Sequence, residues 1–396
     1  MNYLQYILSF DREIPEAAHL HFLVSGADGL VRQAVGESLL RACRAGGKTL
    51  ILVDNIQGEG MPAASFGWGP VADIRSGKVS LCPDLLDVST LTGSLRLRGF
   101  LSDLGMDGLS SMKVVAYIQF VKETERRLGN TAPLTVETLE EYSGTMLVRW
   151  KLEQLVERGR IDEADRNCLL GRYAEVSAAA ADFEMVLSLV GPLLKGSPLA
   201  GGTALRVPLG AFSCDPPVQK FLARLTLDYV RGNAARCFLL LVDDGKSAGR
   251  EVFLPILKNL PPATAVHLFS ADIFSLEESA LNVVMGTFPV RIYTRHENMA
   301  SAEKIQARCG QMDVVYKSTA VTVDKRLRAN SPWDLLLGNN RTETQTWNSP
   351  VKEYRFRKEK IAALAPGTGI VDYQGNQVLF SFDSLHCAPR RRRDRS

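Results

Sequence analysis

The sequence lacks the cysteine and histidine spacing on which zinc sites and disulfide frameworks depend. Its seven cysteines are scattered, and no two of them form a Cys-x-x-Cys pair. Their number is odd, and His19 and His21 have no other histidine or cysteine near them in sequence. We therefore expect reduced thiols that fill apolar positions, and no metal site.

The sequence also has little that is typical of membrane or secreted proteins. No run approaches the roughly 20 consecutive apolar residues that cross a bilayer as a helix. The segment from Met1 to Phe10 lacks the basic region and the long apolar stretch of a secretory signal. We expect a cytoplasmic protein without a transmembrane segment, which would associate with a membrane through its partners.

Excess charge of one sign is scarce except at one end. The chain has 47 Lys+Arg against 44 Asp+Glu, and its last seven residues contain five arginines and one aspartate. Such runs are usually solvated, and they can bind phosphates weakly and without sequence preference. Arg390, Arg391, Arg392 and Arg393 are therefore the candidate nucleic-acid-binding residues.

The 396 residues, 45% of them apolar, are enough for two or three packed domains. A strand at Phe22–Val24, a glycine loop, a helix and an apolar strand that ends at Asp54 predict a βαβ unit. Residues 100–195 instead show amphipathic helical periodicity, and one helix is expected over 135–159. Strand-like runs return after residue 203, while 332–346 is polar and loop-like.

This pattern predicts an α/β fold, with a parallel sheet interrupted by a helical insertion. The predicted domains are 1–98 for the first half of the α/β domain and 99–200 for the inserted helical domain. They continue with 201–385 for the second half and its C-terminal strands, and 386–396 for a basic, disordered tail.

The loop after the first predicted strand carries the main chemical signal. Glycine loops at a helix N-terminus cradle phosphates, because their N–H groups can approach the ligand and the helix dipole favours an anion. The P-loop pattern is G-x-x-x-x-G-K-[ST]. Aligned on it, the candidate nucleotide-binding residues are Gly26, Ala27, Asp28, Gly29, Arg32 and Gln33.

Three positions depart from that pattern. Val31 stands at the second glycine, Arg32 at the lysine and Gln33 at the hydroxyl that binds magnesium, while Asp28 places a carboxylate where a phosphate would lie. Two interpretations stay open. The loop could bind ATP and Mg²⁺ through Arg32, or it could be a structural turn that binds nothing.

A dinucleotide-binding loop is a further interpretation. Gly26, Gly29 and the acid Asp54 at the end of the next strand fit a Rossmann pattern that would bind NAD(P). The third glycine is missing, however. The only Tyr-x-x-x-Lys match, at Tyr354 and Lys358, lies in strand-like sequence far from the loop.

The run CFLLLVDDG at 237–245 is typical of a strand that ends in the acids of an NTPase. If the protein is active, Asp243 would hold magnesium through water and Asp244 would orient the attacking water. The alternative is a core strand that ends in two solvated carboxylates.

In this order, the segments resemble the type IV coupling proteins, which are hexameric RecA-like motors of conjugation and type IV secretion. The segments that carry the resemblance are HFLVSGADG (21–29), ILVDNIQGE (51–59), LLLVDDG (239–245), VRIYTRHENMASAEKIQARCG (290–310) and EYRFRKEKIAALAPGTGIV (353–371). The helical insertion also falls where that family has its all-α domain.

The resemblance implies a RecA-like sheet with an inserted all-α domain. It also implies a homo- or hetero-oligomer, other machine subunits as partners, DNA contact, and ATP with Mg²⁺ if activity is retained. Because the P-loop positions are degraded, we expect a coupling-protein-like subunit with weak or no ATPase activity that acts in assembly or in recruitment of cargo or DNA. The alternatives are an active NTP-driven DNA or protein translocase and an NAD(P)-dependent oxidoreductase.

Overall fold

The structure is a computed structural model, and it describes residues 21–36, 46–56, 71–82, 84–243, 253–324, 341–373 and 375–381. For residues 315–324 and 341–350 and for Asn376 it describes the backbone alone. The chain divides into two compact units, one formed by Met1–Thr294 with Pro366–Ser396 and the other by Arg295–Ala365.

The described residues form strands and helices that alternate along much of the chain. The strands are β1 Phe22–Ser25, β2 Thr49–Asp54, β3 Ala72–Asp73, β4 Val79–Ser80, β5 Ser197–Pro198, β6 Ala204–Pro208, β7 Cys237–Asp243, β8 Ala265–Ser270, β9 Val290–Tyr293, β10 Gln311–Asp324, β11 Arg341–Tyr354, β12 Thr368–Tyr373 and β13 Asn376–Ser381. The helices are α1 29–36, α2 Leu91–Asp103, α3 Gly108–Leu128, α4 Val136–Glu141, α5 Thr145–Glu157, α6 Glu163–Leu194, α7 Pro216–Gly232, α8 Phe253–Lys258, α9 Glu278–Thr287, α10 Met299–Cys309 and α11 Lys358–Ala362.

The first unit is built on a nine-stranded sheet in the order β13-β12-β9-β1-β8-β7-β2-β6-β3. The strands from β9 to β3 in that order are parallel, and β12 and β13 add an antiparallel edge next to β9. Strands β1, β2, β7 and β8 are buried along their whole length, as continuous apolar runs in parallel sheets predict. The predicted α/β fold, a parallel sheet interrupted by a helical insertion, is confirmed by this topology.

Helices α2 to α6 form the insertion between β4 and β5. Asp107 begins α3 by accepting hydrogen bonds from the Leu109 and Ser110 N–H groups, and Gly129 ends it in the left-handed conformation. The single helix predicted over 135–159 is wrong, because α4 ends at Glu141 and α5 begins after Gly144.

Within the described residues, α6 is the one helix long and apolar enough to cross a membrane by length and composition, which the sequence did not lead us to expect. Its buried side chains include Tyr173 and Phe183. The Tyr173 hydroxyl donates to the carbonyls of Tyr142 at 3.2 Å and Ser143 at 3.3 Å. These contacts are typical of a core helix of the helical insertion.

The second unit consists of α10, α11 and a two-stranded antiparallel ribbon of β10 and β11. The register runs from Gln311 opposite Tyr354 to Asp324 opposite Arg341. Because β11 begins at Arg341, the last part of the loop predicted over 332–346 is in fact a strand. Its run of Thr, Gln and Asn lacks the apolar alternation that usually identifies a strand.

Candidate functional site

The loop after β1 lies at the carboxyl end of the parallel sheet, between the ends of β8 and β9. Gly26 has a φ of 129°, which a residue with a side chain rarely adopts, and its N–H donates to the Ser270 carbonyl at 3.0 Å. Helix α1 begins at residue 29. The connection is therefore a tight turn over residues 26–28.

The Asp28 carboxylate occupies the helix N-terminus that follows this turn. One oxygen accepts the Leu30 N–H at 2.9 Å and the Val31 N–H at 3.4 Å, while the other accepts the Gly367 N–H at 2.7 Å. The Asp28 N–H itself donates to the Thr294 hydroxyl at 3.5 Å. The backbone N–H groups at the start of α1, which could bind a phosphate, are thus already bonded to the Asp28 carboxylate.

Arg32 lies one turn further along α1 and points back to the loop. Its Nη2 donates to the Gly26 carbonyl, and its buried Nε has no hydrogen-bond partner in the described structure. Burial lowers the pKa of the Arg32 guanidinium, and the negative charges of Asp243 and Asp28 oppose that effect. The guanidinium therefore neutralises carboxylates that belong to the protein.

The two neighbours of Arg32 have unlike surroundings. Val31 is fully buried in the core cluster with Val24 and Val242, so its side chain anchors α1 to the sheet. Gln33 is exposed on the outer side of the helix. Ala27 and Gly29 are exposed as well.

A row of polar side chains crosses the sheet where four parallel strands end. Ser25 is in register with Ser270, and Ser270 with Asp243, which accepts the Ser270 hydroxyl at 3.0 Å. Asn55 follows β2 directly, and its N–H donates to the Val242 carbonyl at 2.9 Å. All four side chains are buried.

Asp243 points away from the sheet face that α1 covers. Val242 packs with the α1 residue Val31, and successive side chains of a strand alternate between faces. The Asp243 carboxylate borders a cavity of about 10 Å³ whose other walls are apolar side chains of α8, β8, α9 and the connection between β8 and α9. Such a volume admits about one water molecule.

Two neighbouring residues at this edge, Asp54 and Asn55, differ in their hydrogen bonding. Asn55 is fully buried, and neither its Oδ1 nor its Nδ2 has a hydrogen-bond partner in the part of the chain that the structure describes. The Asp54 carboxylate accepts the Arg206 Nε at 2.6 Å. Asp54 is therefore committed to an ion pair and is not available to the ribose hydroxyls of a dinucleotide.

The structure brings most of the sequence-predicted residues to one edge of the sheet. Gly26, Asp28 and Arg32 lie together, and the charge of Asp243 acts on Arg32. Asp244 and the arginines at 390–393 lie outside the described residues.

Sequence reasoning missed two residues that contact the loop, Thr294 and Gly367. Both lie more than 260 positions from Asp28 in sequence. Thr294 directly follows a parallel strand and could have been found by its position. Gly367 gave no signal beyond its place in a Pro-Gly turn.

The chain is similar to several solved structures, whereas no protein-family model and no curated protein matches it. The bacterial conjugative coupling protein TrwBdeltaN70, in a trigonal form in complex with sulphate, is 12% identical with a TM-score of 0.46, over 91% of this chain and 84% of that chain. The plasmid coupling protein TrwB in complex with ADP and Mg²⁺ is 13% identical with a TM-score of 0.45, over 92% and 85%. VirB4 of Thermoanaerobacter pseudethanolicus is 11% identical with a TM-score of 0.44, over 91% and 88%. The fold class rests on the strand order of this chain and not on these similarities.

Proposed function

We propose that the protein is a coupling-protein-like subunit of a type IV secretion or conjugative transfer machine with weak or no ATPase activity, which acts in assembly or in recruitment of cargo or DNA. The proposal of weak or no ATPase activity rests on one observation. The Asp28 carboxylate accepts the Leu30 and Val31 N–H groups, where a phosphate would bind. The order of the sequence segments that resemble coupling proteins supports the kind of machine.

The loop residues do not fit a nucleotide phosphate with its magnesium ion. A phosphate would have to replace Asp28 on the Leu30 and Val31 N–H groups and remove Arg32 from the Gly26 carbonyl. It would then lie beside the negative charge of the displaced Asp28, which repels it. Gln33 offers an amide where a P-loop offers the hydroxyl that binds magnesium. We therefore assign no step of hydrolysis to these residues.

Without hydrolysis, the protein offers its parallel sheet and the helical insertion that this sheet carries. In this proposal the sheet serves as a scaffold within an oligomer, and the partners are other subunits of the transfer machine. DNA contact would come from Arg390, Arg391, Arg392 and Arg393. The location would be cytoplasmic, at the membrane through partners.

Calorimetry with Mg²⁺-ATP, Mg²⁺-ADP and NADPH tests the proposal on the full chain. We expect no binding heat up to about 1 mM nucleotide, which corresponds to a binding free energy weaker than about −4 kcal/mol. The variant Asp28→Gly removes the internal carboxylate, and weak ADP binding in this variant alone would identify Asp28 as the blocking group. Arg32→Ala is its matched control, because it removes the cation and leaves Asp28 in place.

Two results would contradict the proposal. ATP binding to the unaltered chain with a Kd below about 0.1 mM, lost in Arg32→Ala and accompanied by hydrolysis, would favour the active translocase. Binding of NADPH, but not of ATP, would favour the oxidoreductase.

A further inference from the structure

Helix α6 carries apolar side chains on two opposite faces. Its inner face packs on α3, because the rings of Tyr173 and Phe183 contact those of Phe120 and Tyr117. Its outer face carries a line of exposed, uncharged residues that recur at alternating spacings of three and four positions. This line, the α6 seam, consists of Gly171, Ala174, Ala178, Ala181, Met185, Ser188 and Pro192. A surface helix normally has polar and charged residues opposite its buried face, so the α6 seam is typical of a helix that is also packed on its outer side.

The spacing and the size of the seam residues fit a partner helix. Alternating spacings of three and four are the repeat by which two helices pack side by side over several turns. At one end the seam residues are small, and a Cβ atom added to Gly171 would meet no atom of the described residues within 4 Å. At the other end, Met185 is 67% exposed and its neighbour Leu189 is 54% exposed. The α6 seam runs along about 30 Å of helix, which is long enough to hold several turns of a partner.

The charges beside the α6 seam are all negative along most of its length. Glu175 and Asp182 flank it on one side and Glu184 on the other, and all three are exposed. No lysine or arginine lies within residues 173–194. None of the three carboxylates forms an ion pair with another of the described residues. The outer face of α6 is therefore an apolar line between acidic flanks.

These flanks decide which kind of occupant fits. A second copy of α6 would bring acidic flanks against acidic flanks, and the same charges would repel a surface of anionic lipids. The basic end of this chain, residues 390–396, contains no apolar residue that could cover the α6 seam. A helix with lysine or arginine on both sides of its own apolar line would be attracted along both flanks.

From the spacing, the exposure and the flanking charge, we infer that the α6 seam is a docking surface for a basic amphipathic helix of another protein. Large apolar side chains of that helix lie on the small residues of the α6 seam, and its lysines or arginines face Glu175, Asp182 and Glu184. Apolar burial supplies the attraction, and the acidic flanks select the charge of the partner. The surface belongs to the helical insertion, so docking does not require a nucleotide at the loop after β1.

Fluorescence anisotropy on the full chain tests this inference with two labelled peptides of about four heptads each. Both peptides have leucine at the two apolar positions of the heptad, and they differ in carrying either lysine or glutamate on the flanks. We expect the lysine peptide to bind about tenfold more tightly than the glutamate peptide, and the difference to shrink at high salt. Equal affinities of the two peptides, or no binding of the lysine peptide, would overturn the inference.

The variant Ala181→Glu locates the site in the middle of the α6 seam. It adds a negative charge, so it would strengthen binding of the lysine peptide if the attraction were only electrostatic. We expect binding to weaken about tenfold instead, because the new carboxylate would be buried against leucine. The matched control Ala235→Glu adds the same charge at an exposed position outside the helical insertion and should leave the affinity unchanged. Unchanged or tighter binding in Ala181→Glu would overturn the inference.

Charge reversal on one flank tests the choice of partner. Glu175→Lys combined with Asp182→Lys changes two exposed positions, and it should weaken the lysine peptide and strengthen the glutamate peptide by about threefold to tenfold each. An unchanged ratio of the two affinities would overturn the inference. Sedimentation of the chain alone and flotation with phosphatidylglycerol vesicles test the other occupants. Self-association or vesicle binding that Ala181→Glu abolishes would assign the α6 seam to a second copy or to lipid, and would overturn the inference.

Discussion

The helical insertion and the carboxyl edge of the sheet both bury polar and charged side chains. In the insertion these side chains have more hydrogen-bond partners than at the sheet edge. In the insertion, the Glu125 carboxylate accepts hydrogen bonds from Tyr142 at 2.6 Å, Asn130 at 2.9 Å and Lys151 at 3.0 Å. At the sheet edge, the Arg32 Nε and both amide atoms of Asn55 have no partner in the described structure. The first cluster stabilises the fold, whereas the second costs free energy.

The pKa of Glu125 shows how complete the first cluster is. Burial raises this pKa, but the hydrogen bonds from Tyr142, Lys151 and Asn130 outweigh it, so the pKa lies below its ordinary value. Lys151 also lies over the Tyr142 ring, 4.1 Å from its centre, and bonds to Glu141 at 3.0 Å. A charge with this many partners belongs to the architecture of the insertion.

The largest expected effect comes from breaking the satisfied cluster. Glu125→Ala leaves the buried Lys151 with one carboxylate partner, and we expect the free energy of unfolding to fall by about 3–5 kcal/mol. Glu123→Ala is the matched control on the same helix, since it removes only pairs on the helix surface, with Arg126 (i,i+3) and Arg127 (i,i+4), each worth about 0.2–0.5 kcal/mol. Urea unfolding monitored by helical circular dichroism measures both. Similar midpoints for the two variants would show that the buried cluster is not a stabilising one.

A second expected effect concerns His267, a buried group in the middle of β8 whose ring nitrogens have no partner in the described structure. It lies between the rings of Phe22 and Phe238, and burial, with a smaller contribution from His21, lowers its pKa to about 3. Between that value and about 6.5, the unfolded chain binds a proton that the folded chain does not, so stability falls as pH falls.

For this histidine alone, we expect a loss of about 3 kcal/mol between pH 7 and pH 4. His267→Leu should remove that part of the pH dependence while other groups keep theirs. The measurement is the difference between the two proteins in urea unfolding at several pH values. Parallel curves for the original chain and the variant would mean that His267 has a partner or is protonated in the fold.

The third expected effect compares the Asp28 cap in the loop after β1 with the Asp107 cap at the start of α3. Asp28→Ala removes a helix cap together with the long-range bond from Gly367, whereas Asp107→Ala at α3 removes a cap together with a local bond from the exposed Ser110 hydroxyl. We expect a loss of about 1–2 kcal/mol at Asp107, and about 0.5–1.5 kcal/mol more at Asp28, because the part-buried Gly367 N–H loses its acceptor whereas the exposed Ser110 hydroxyl can bond to water. Urea unfolding of the two variants gives the comparison. A smaller loss at Asp28 than at Asp107 would mean that the carboxylate is strained in the loop.

The sheet was predictable from sequence because its strands are continuous apolar runs. Residues 22–24, 49–54 and 237–243 have no polar interruption before their ends, and burial on both faces requires this pattern. The ribbon of β10 and β11 was only half predictable, because β10 contains the apolar run at 314–316 whereas β11 begins with the polar run at 341–346.

The candidate site was predictable in its location but not in its contacts. Comparison with the P-loop pattern places Arg32 at the lysine position, but it cannot show that the side chain bonds to the Gly26 carbonyl. Nor can it show that Gly367 donates to Asp28 across 339 positions, because that contact depends on how β12 joins the sheet. Contacts between residues far apart in sequence therefore decide whether the backbone donors of the loop are already occupied by Asp28.

The smallest expected effect tests whether the buried Asn55 side chain at the sheet edge contributes to stability. Asn55 buries two polar amide atoms without a partner in the described structure, and each such atom costs free energy in the fold. Leucine has a similar shape, so Asn55→Leu should leave stability unchanged or raise it by about 1 kcal/mol. Asn55→Asp is the matched contrast. It places a second carboxylate next to Asp243 and should cost about 3 kcal/mol or more, since two buried like charges repel. Urea unfolding at pH 7 measures both variants.

A loss of more than about 1 kcal/mol in Asn55→Leu would show that the amide forms a hydrogen bond in solution, for example with a water molecule. A stable Asn55→Leu variant would instead show that the sheet edge, unlike the Glu125 cluster of the helical insertion, does not depend on its polar side chain for stability.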